Sequence, residues 1–289
     1  MAKNYFIDIS HKNIQNNIRT IWIFDFEMEQ TNPIVNDNGE LITNYRRQWE
    51  VIKNTISTAT GHIDTRIYAR DCEIREIPKA DVRPFLDKNC FYGYRSATVN
   101  LGLYLKKDKN GIKAGTLLML YSFGHNFYGN KNHKEDPIVE IVRVSTKIGV
   151  QVIGGASKCL KFFLENYPTL TMGGKEYPVN QLCFYVDASH NDGRAMVAMG
   201  FDFVEWQGEG FMNRWCTDYN GQTDEELDEN KTALKGTKGE IFHRKPMFHK
   251  HIMRLIGQNK IVSIGNAGTQ VYKIERNSYL QRENNLTTN

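Results

Sequence analysis

No apolar run in the 289-residue chain approaches the roughly 20 residues a membrane helix needs. Its start, MAKNYFIDISHKN, lacks the apolar core of a secretory leader, so a cytoplasmic location is the expectation. Five cysteines, at 72, 90, 159, 183 and 216, form no C-x-x-C pair, which argues against a zinc ribbon or a disulfide framework; no metal site is expected. Cys159 and Cys183 lie inside apolar elements and read as core thiols. Neither sign of charge dominates, with 37 Lys and Arg against 33 Asp and Glu. A net charge of +4 permits contact with nucleic acid without demanding it. What the chain does have is core material, 40% hydrophobic and 11% aromatic, enough for one large domain with appendages.

The chain is organised around residues 136–167, DPIVEIVRVSTKIGVQVIGGASKCLKFFLENY. Ile138 to Val142 reads as a buried strand. Gly154 and Gly155 open a helix with apolar positions Ala156, Leu160, Phe163, Leu164 and Tyr167. A strand, a glycine loop and a helix leave the first helical amides unpaired at the positive end of the macrodipole, where a pyrophosphate fits well. The glycines let backbone approach such a ligand, and small Ala156 and Ser157 continue the clearance. The same pair also suits a helix entry packed tightly on a strand. Downstream, LCFYV (182–186) reads as a second buried strand, followed by Asp187 and a segment ending in Gly200-Phe201.

The spacing Gln151-x-x-Gly154-x-Ala156 resembles the pyrophosphate arm of the GNAT acyltransferase superfamily, and Gly200-Phe201-Asp-Phe-Val resembles the short helix and strand that follow its second central strand. Within that superfamily the chain is similar to a branch found in phage genomes, comprising Mom-type DNA modification proteins and the domain after the nuclease core of phage homing-type endonucleases. The residues carrying this are 67–77, 85–93, Ser122-Phe-Gly124, 152–158, Asp187 through Phe201, and Ile264-Gly-Asn-Ala-Gly268, so short motifs span about residues 66–275. The resemblance implies an α+β fold with a GNAT-like central mixed sheet flanked by helices, acetyl-CoA as cofactor, DNA as partner and, for a phage protein, the host cytoplasm. It also makes the start of the chain resemble the tail of a nuclease fold. The nuclease core would then belong to a companion chain.

Three segments follow: an N-terminal α/β appendage (1–65), the acyltransferase-like unit (66–275) with a charged insertion or lid (207–240), and a disordered polar tail (276–289). In the appendage, Ile9, Ile14 and Ile18 face one way before a strand, Thr20 to Phe24. Asp25, Glu27 and Glu29 alternate beyond it, as a solvated strand end or a metal site. A polar loop (30–44) precedes a helix with Tyr45, Trp49, Ile52 and Ile56, capped by Asn44. Within the unit come a strand at 67–77, a short helix near Val82–Leu86, and strands Val99–Leu105 and Thr116–Phe123 joined by a turn at Lys107–Gly111. A basic, aromatic-rich stretch offers Arg244, Lys245, Lys250 and Arg254 to nucleic acid, on a helix beginning near Pro246. A hairpin of 261–264 with 270–274 closes the unit.

Acyl transfer needs a cradle, a base for the attacking amine and an acid for the leaving thiolate. Arg143 either pairs with a phosphate or holds its strand to a neighbour; Ser157 either caps the helix or donates to the pyrophosphate. Asp187, at the end of an apolar strand, is the candidate base or the cap of the following turn, and His190 shares either task. Two positions depart from the family pattern: Cys90 replaces a histidine, and Met196 a tyrosine that donates the thiolate's proton. Tyr185, Tyr121 or His125 would then supply the acid, or the fold serves binding alone. The function expected is acyl transfer to a nucleobase amine, with the base flipped into a pocket of Tyr92, Tyr94 and Trp206. The alternatives are a non-catalytic DNA-binding half of a split endonuclease and a scaffold that binds a host defence component.

Overall fold

The computed structural model describes residues 5–23, 48–63, 65–125, 138–172, 174–207, 211–215, 242–243, 261–265 and 267–287. Two helices, α1 (Tyr5–Gln15) and α2 (Gln48–Ala59), precede the main sheet. Then come β1 (Thr65–Tyr68), a 3-10 turn at Ala69–Asp71 and β2 (Cys72–Glu76). The single strand expected over 67–77 is thus broken. Lys158 Nζ donates to the carbonyls of Ala69 and Cys72, and the Lys106 amide to that of Asp71, so the turn's acceptors are satisfied outside any ladder.

Helix α3 (Lys79–Asn89) buries Val82, Leu86 and Asn89, which recur at one-turn spacing. The antiparallel pair β3 (Val99–Leu105) and β4 (Leu117–His125) matches the alternation in the sequence. β5 (Val139–Thr146) returns beside β4, and β6 (Val150–Ile153) leads into α4 (Gly155–Asn166). A small hairpin, β7 (Thr169–Met172) with β8 (Lys175–Pro178), connects to β9 (Gln181–Asp187), α5 (Arg194–Ala198) and β10 (Asp202–Gln207). β11 (Phe211–Trp215), β12 (Phe242–His243) and β13 (Ile261–Gly265) form a separate sheet. β14 (Thr269–Glu275) and α6 (Arg276–Thr287) follow.

The main sheet has the order β10-β14-β9-β5-β4-β3-β2, and every neighbouring pair is antiparallel except β5 and β9. A parallel pair needs a crossover, which α4 supplies. β5 and β9 pair only at Val139 with Leu182 and Glu140 with Cys183. Beyond those rungs β5 runs to Thr146 and β9 to Asp187 with no ladder between them, so the sheet opens there. One face carries α4, α5 and α6: Leu160, Phe163, Leu164, Met196 and Tyr279 pack with Leu101, Leu103, Phe123 and Val186, and the rings of Phe123 and Phe163 stack 3.6 Å apart. Each such side chain removed from water contributes about 2 kcal/mol. On the other face Val82, Leu86 and Cys90 cover Ile77 and Leu120. The architecture is α+β, a central mixed sheet flanked by helices.

Several expectations are corrected. Residues 18–23 are irregular, because the Trp22 amide donates to Ser189 O at 2.6 Å and its indole to Ser10 Oγ at 2.8 Å instead of to a neighbouring strand. Ile14 and Ile18 are exposed. The 207–240 insertion contains β11, which pairs with β13; β13 and β14 consequently belong to different sheets and make no hairpin. The segment expected to be a disordered tail is α6, held by buried Tyr279 and by Arg276 Nε on Leu164 O at 2.9 Å. Asp25, Glu27, Glu29, the loop 30–44, Tyr45 and the whole basic group Arg244, Lys245, Lys250 and Arg254 lie outside the described residues.

Candidate functional site

The entry to α4 is built by β6 and Gly154, the helix N-cap, which adopts φ +74° and has no side-chain cap. Only glycine holds that conformation cheaply. Gly155 has a different reason. A Cβ there would lie 2.8 Å from Met119 Sδ and Val152 Cγ1 and 3.0 Å from Leu103 Cδ1, so the missing side chain makes room for the core, not for a ligand. Of the two roles open to the pair, Gly155 serves tight packing.

The outer side of this helix end remains open. Gly154 and Ser157 are exposed and Ala156 is half-buried. Among the described residues the amides of Gly155, Ala156 and Ser157 meet no acceptor, and no acidic residue stands in the first turn. Cations gather instead: Lys158 reaches Ala69 and Cys72 carbonyls at 2.9 and 2.6 Å, and Lys106 Nζ reaches Arg70 O at 3.1 Å. Burial pushes the Cys72 thiol up, against the pull of Lys158, Lys106 and Lys109 nearby. A lysine in a helix's first turn opposes the macrodipole. In Lys158 the sequence therefore carried an overlooked signal of this cluster.

The other candidates divide by sheet face. Gln151, on β6 beside Arg66, stays with the helix entry. Arg143 does not: its Nε donates to Gly93 O at 2.9 Å and its guanidinium covers the Tyr92 ring, so it ties the post-α3 loop to the opposite face. Asp187 is half-buried and its Oδ1 accepts the Ser189 amide at 2.8 Å, the turn-capping role. His190 follows, its amide on Asp187 O at 3.3 Å and its ring 4.4 Å from Phe91. Tyr185 shares the Asp187 face by strand alternation, whereas Tyr121 packs on the α4 face with no exposure. Burial drives the Tyr121 phenol far upward and its hydroxyl has no partner, so it is a core residue without access to a reacting group. Met196 is likewise buried.

Among the described residues Tyr92, Tyr94 and Trp206, expected to line one pocket, keep different company. Tyr94 lies under Arg83 and Tyr92 under Arg143, while Trp206 lines a separate cleft with His11 and Tyr272. Among the described residues no group of three or more His, Cys, Asp or Glu could hold a metal, and no helix is long and apolar enough to cross a membrane.

No family model matches this chain, and no curated protein matches it.

Proposed function

We propose that the chain is a GNAT-type protein that binds an acyl-coenzyme A and transfers the acyl group to a nucleobase amine of DNA. The observation that carries this reading is a coincidence of place. The unpaired amides of Gly155, Ala156 and Ser157, with Lys158 and Lys106 beside them, stand at the end toward which β5 and β9 part. The first feature suits a pyrophosphate and the second admits an extended pantetheine arm. The chain order of strand, helix, strand, short helix and Gly-Phe before a further strand supports the same superfamily.

A bound acyl-coenzyme A would supply an activated thioester. With it bound, the attacking amine would form the new C–N bond as C–S breaks; Asp187 would take its proton, directly or through His190, and Tyr185 would give one to the thiolate. Tyr121 drops out of the acid set. Buried Met196 favours a second reading, in which the fold binds DNA without catalysis.

Calorimetric titration with acetyl-CoA tests the first reading. Ser157→Glu places a carboxylate among the free amides at an exposed position where acidic residues favour a helix, so folding is retained while micromolar binding falls at least tenfold. No binding by the parental protein ends the coenzyme reading. Binding to duplex DNA at low salt without any new adduct by mass spectrometry would favour the second.

A further inference from the structure

On the α5 face, at the sheet edge away from β2, lies a cleft of about 580 Å³ lined by α1, α5, β10 and β14. Its walls are His11, Phe203, Trp206 and Tyr272, and the rings of His11 and Trp206 meet edge-on with centroids 4.0 Å apart. Gln270, which also lines it, is only 1% exposed. The Tyr272 hydroxyl donates to its Oε1 at 2.5 Å, and its Nε2 has no partner. A buried amide donor left unpaired is destabilising, and a ligand acceptor would relieve it. At the rim Asp192 Oδ2 accepts from Arg194 Nε at 2.7 Å, which fixes a half-exposed guanidinium whose terminal nitrogens meet no acceptor among the described residues.

We propose that this cleft is a nucleotide-binding site. The aromatic walls take the flat base, Gln270 Nε2 donates to a ring nitrogen or carbonyl, and Arg194 faces the phosphate. Each part answers one feature of the ligand: π-faces for a ring, a fork of donors for an anion and a lone buried donor for an acceptor at the ring edge. The volume falls within the range of small-molecule sites. The site is separate from the α4 entry, and its occupancy does not depend on coenzyme binding there. Free nucleotides and the bases of a single strand share this chemistry.

The test titrates the full chain with dAMP, dGMP, dCMP and dTMP, and with a single-stranded oligonucleotide, following tryptophan emission and calorimetry. At least one monophosphate binds, and saturation with acetyl-CoA leaves its affinity unchanged. Val197→Trp, at an exposed position on the cleft wall, removes binding. Arg194→Gln weakens the monophosphate at least tenfold but spares the matching nucleoside. Tighter binding of the oligonucleotide than of any monophosphate identifies a strand as the source; the reverse identifies a free nucleotide. If no compound in either arm binds at millimolar concentration, or if Val197→Trp and Arg194→Gln both bind as the parent does, the proposal is overturned.

Discussion

Individual residues in this protein carry duties that their types do not announce. Glu140, 4% exposed, meets Arg95 through two hydrogen bonds of 2.7 and 3.3 Å. Replacing Arg95 by Met strands a buried carboxylate, and because Arg95 itself is partly exposed the expected loss is about 2–3 kcal/mol by urea unfolding, recovered in part by adding Glu140→Gln. Tyr121 gives the opposite case. Its buried hydroxyl has no partner, so Tyr121→Phe should unfold at the same temperature as the parent or higher. Cys159 sets a pH dependence, for burial pushes its thiol from 9.0 up to about 12. The folded state then holds a proton that the unfolded state releases, so the thiol's contribution is intact below pH 9 and declines as pH rises toward 12. The decline is on the order of 1 kcal/mol per pH unit, and Cys159→Ala should flatten it in denaturation series across that window.

Elements were legible in the sequence where pattern alone decides them. The alternation of β3 and β4, the apolar runs of β5 and β9, and the stripe of α4 are all local signals, and the strand–glycine–helix joint was visible as a motif. The misses have long-range causes. The break at Ala69–Asp71 depends on Lys158, far along the chain, and α6 forms because Tyr279 finds a core that its polar neighbours do not advertise. Tyr279→Ala should therefore cost about 3 kcal/mol and loosen the helix, seen as lost helical dichroism and a lower melting temperature. The purpose of Gly155 was equally hidden, since a glycine cleared for phosphate and one cleared for Met119 read alike. Gly155→Ala should destabilise by about 1–3 kcal/mol, whereas Ser157→Glu, one turn-position outward, should leave the melting temperature unchanged.

At the scale of the molecule the site candidates sort by which face and which edge the topology gives them, information no single stretch contains. Arg143 fell on the face away from α4 and Tyr121 was sealed in the core beneath it, while Gln270 and Trp206, remote in sequence from α1, were brought to it. The two-rung junction of β5 and β9 also separates the sheet into contiguous halves, residues 72–146 and 181–275. Each half is knit by antiparallel neighbours, and only Val139–Leu182 and Glu140–Cys183 stitch one to the other. Loop closure favours the nearby pairings of β2 to β5, so that half should acquire protection early in refolding; the seam joins partners 43 residues apart and should precede the β9–β14 ladder, whose partners lie 82 to 94 apart. Native-state hydrogen exchange should find the two-rung seam amides opening at a lower free energy than those of β4. The chain would thus grow as one wing, a clasp and then a second wing.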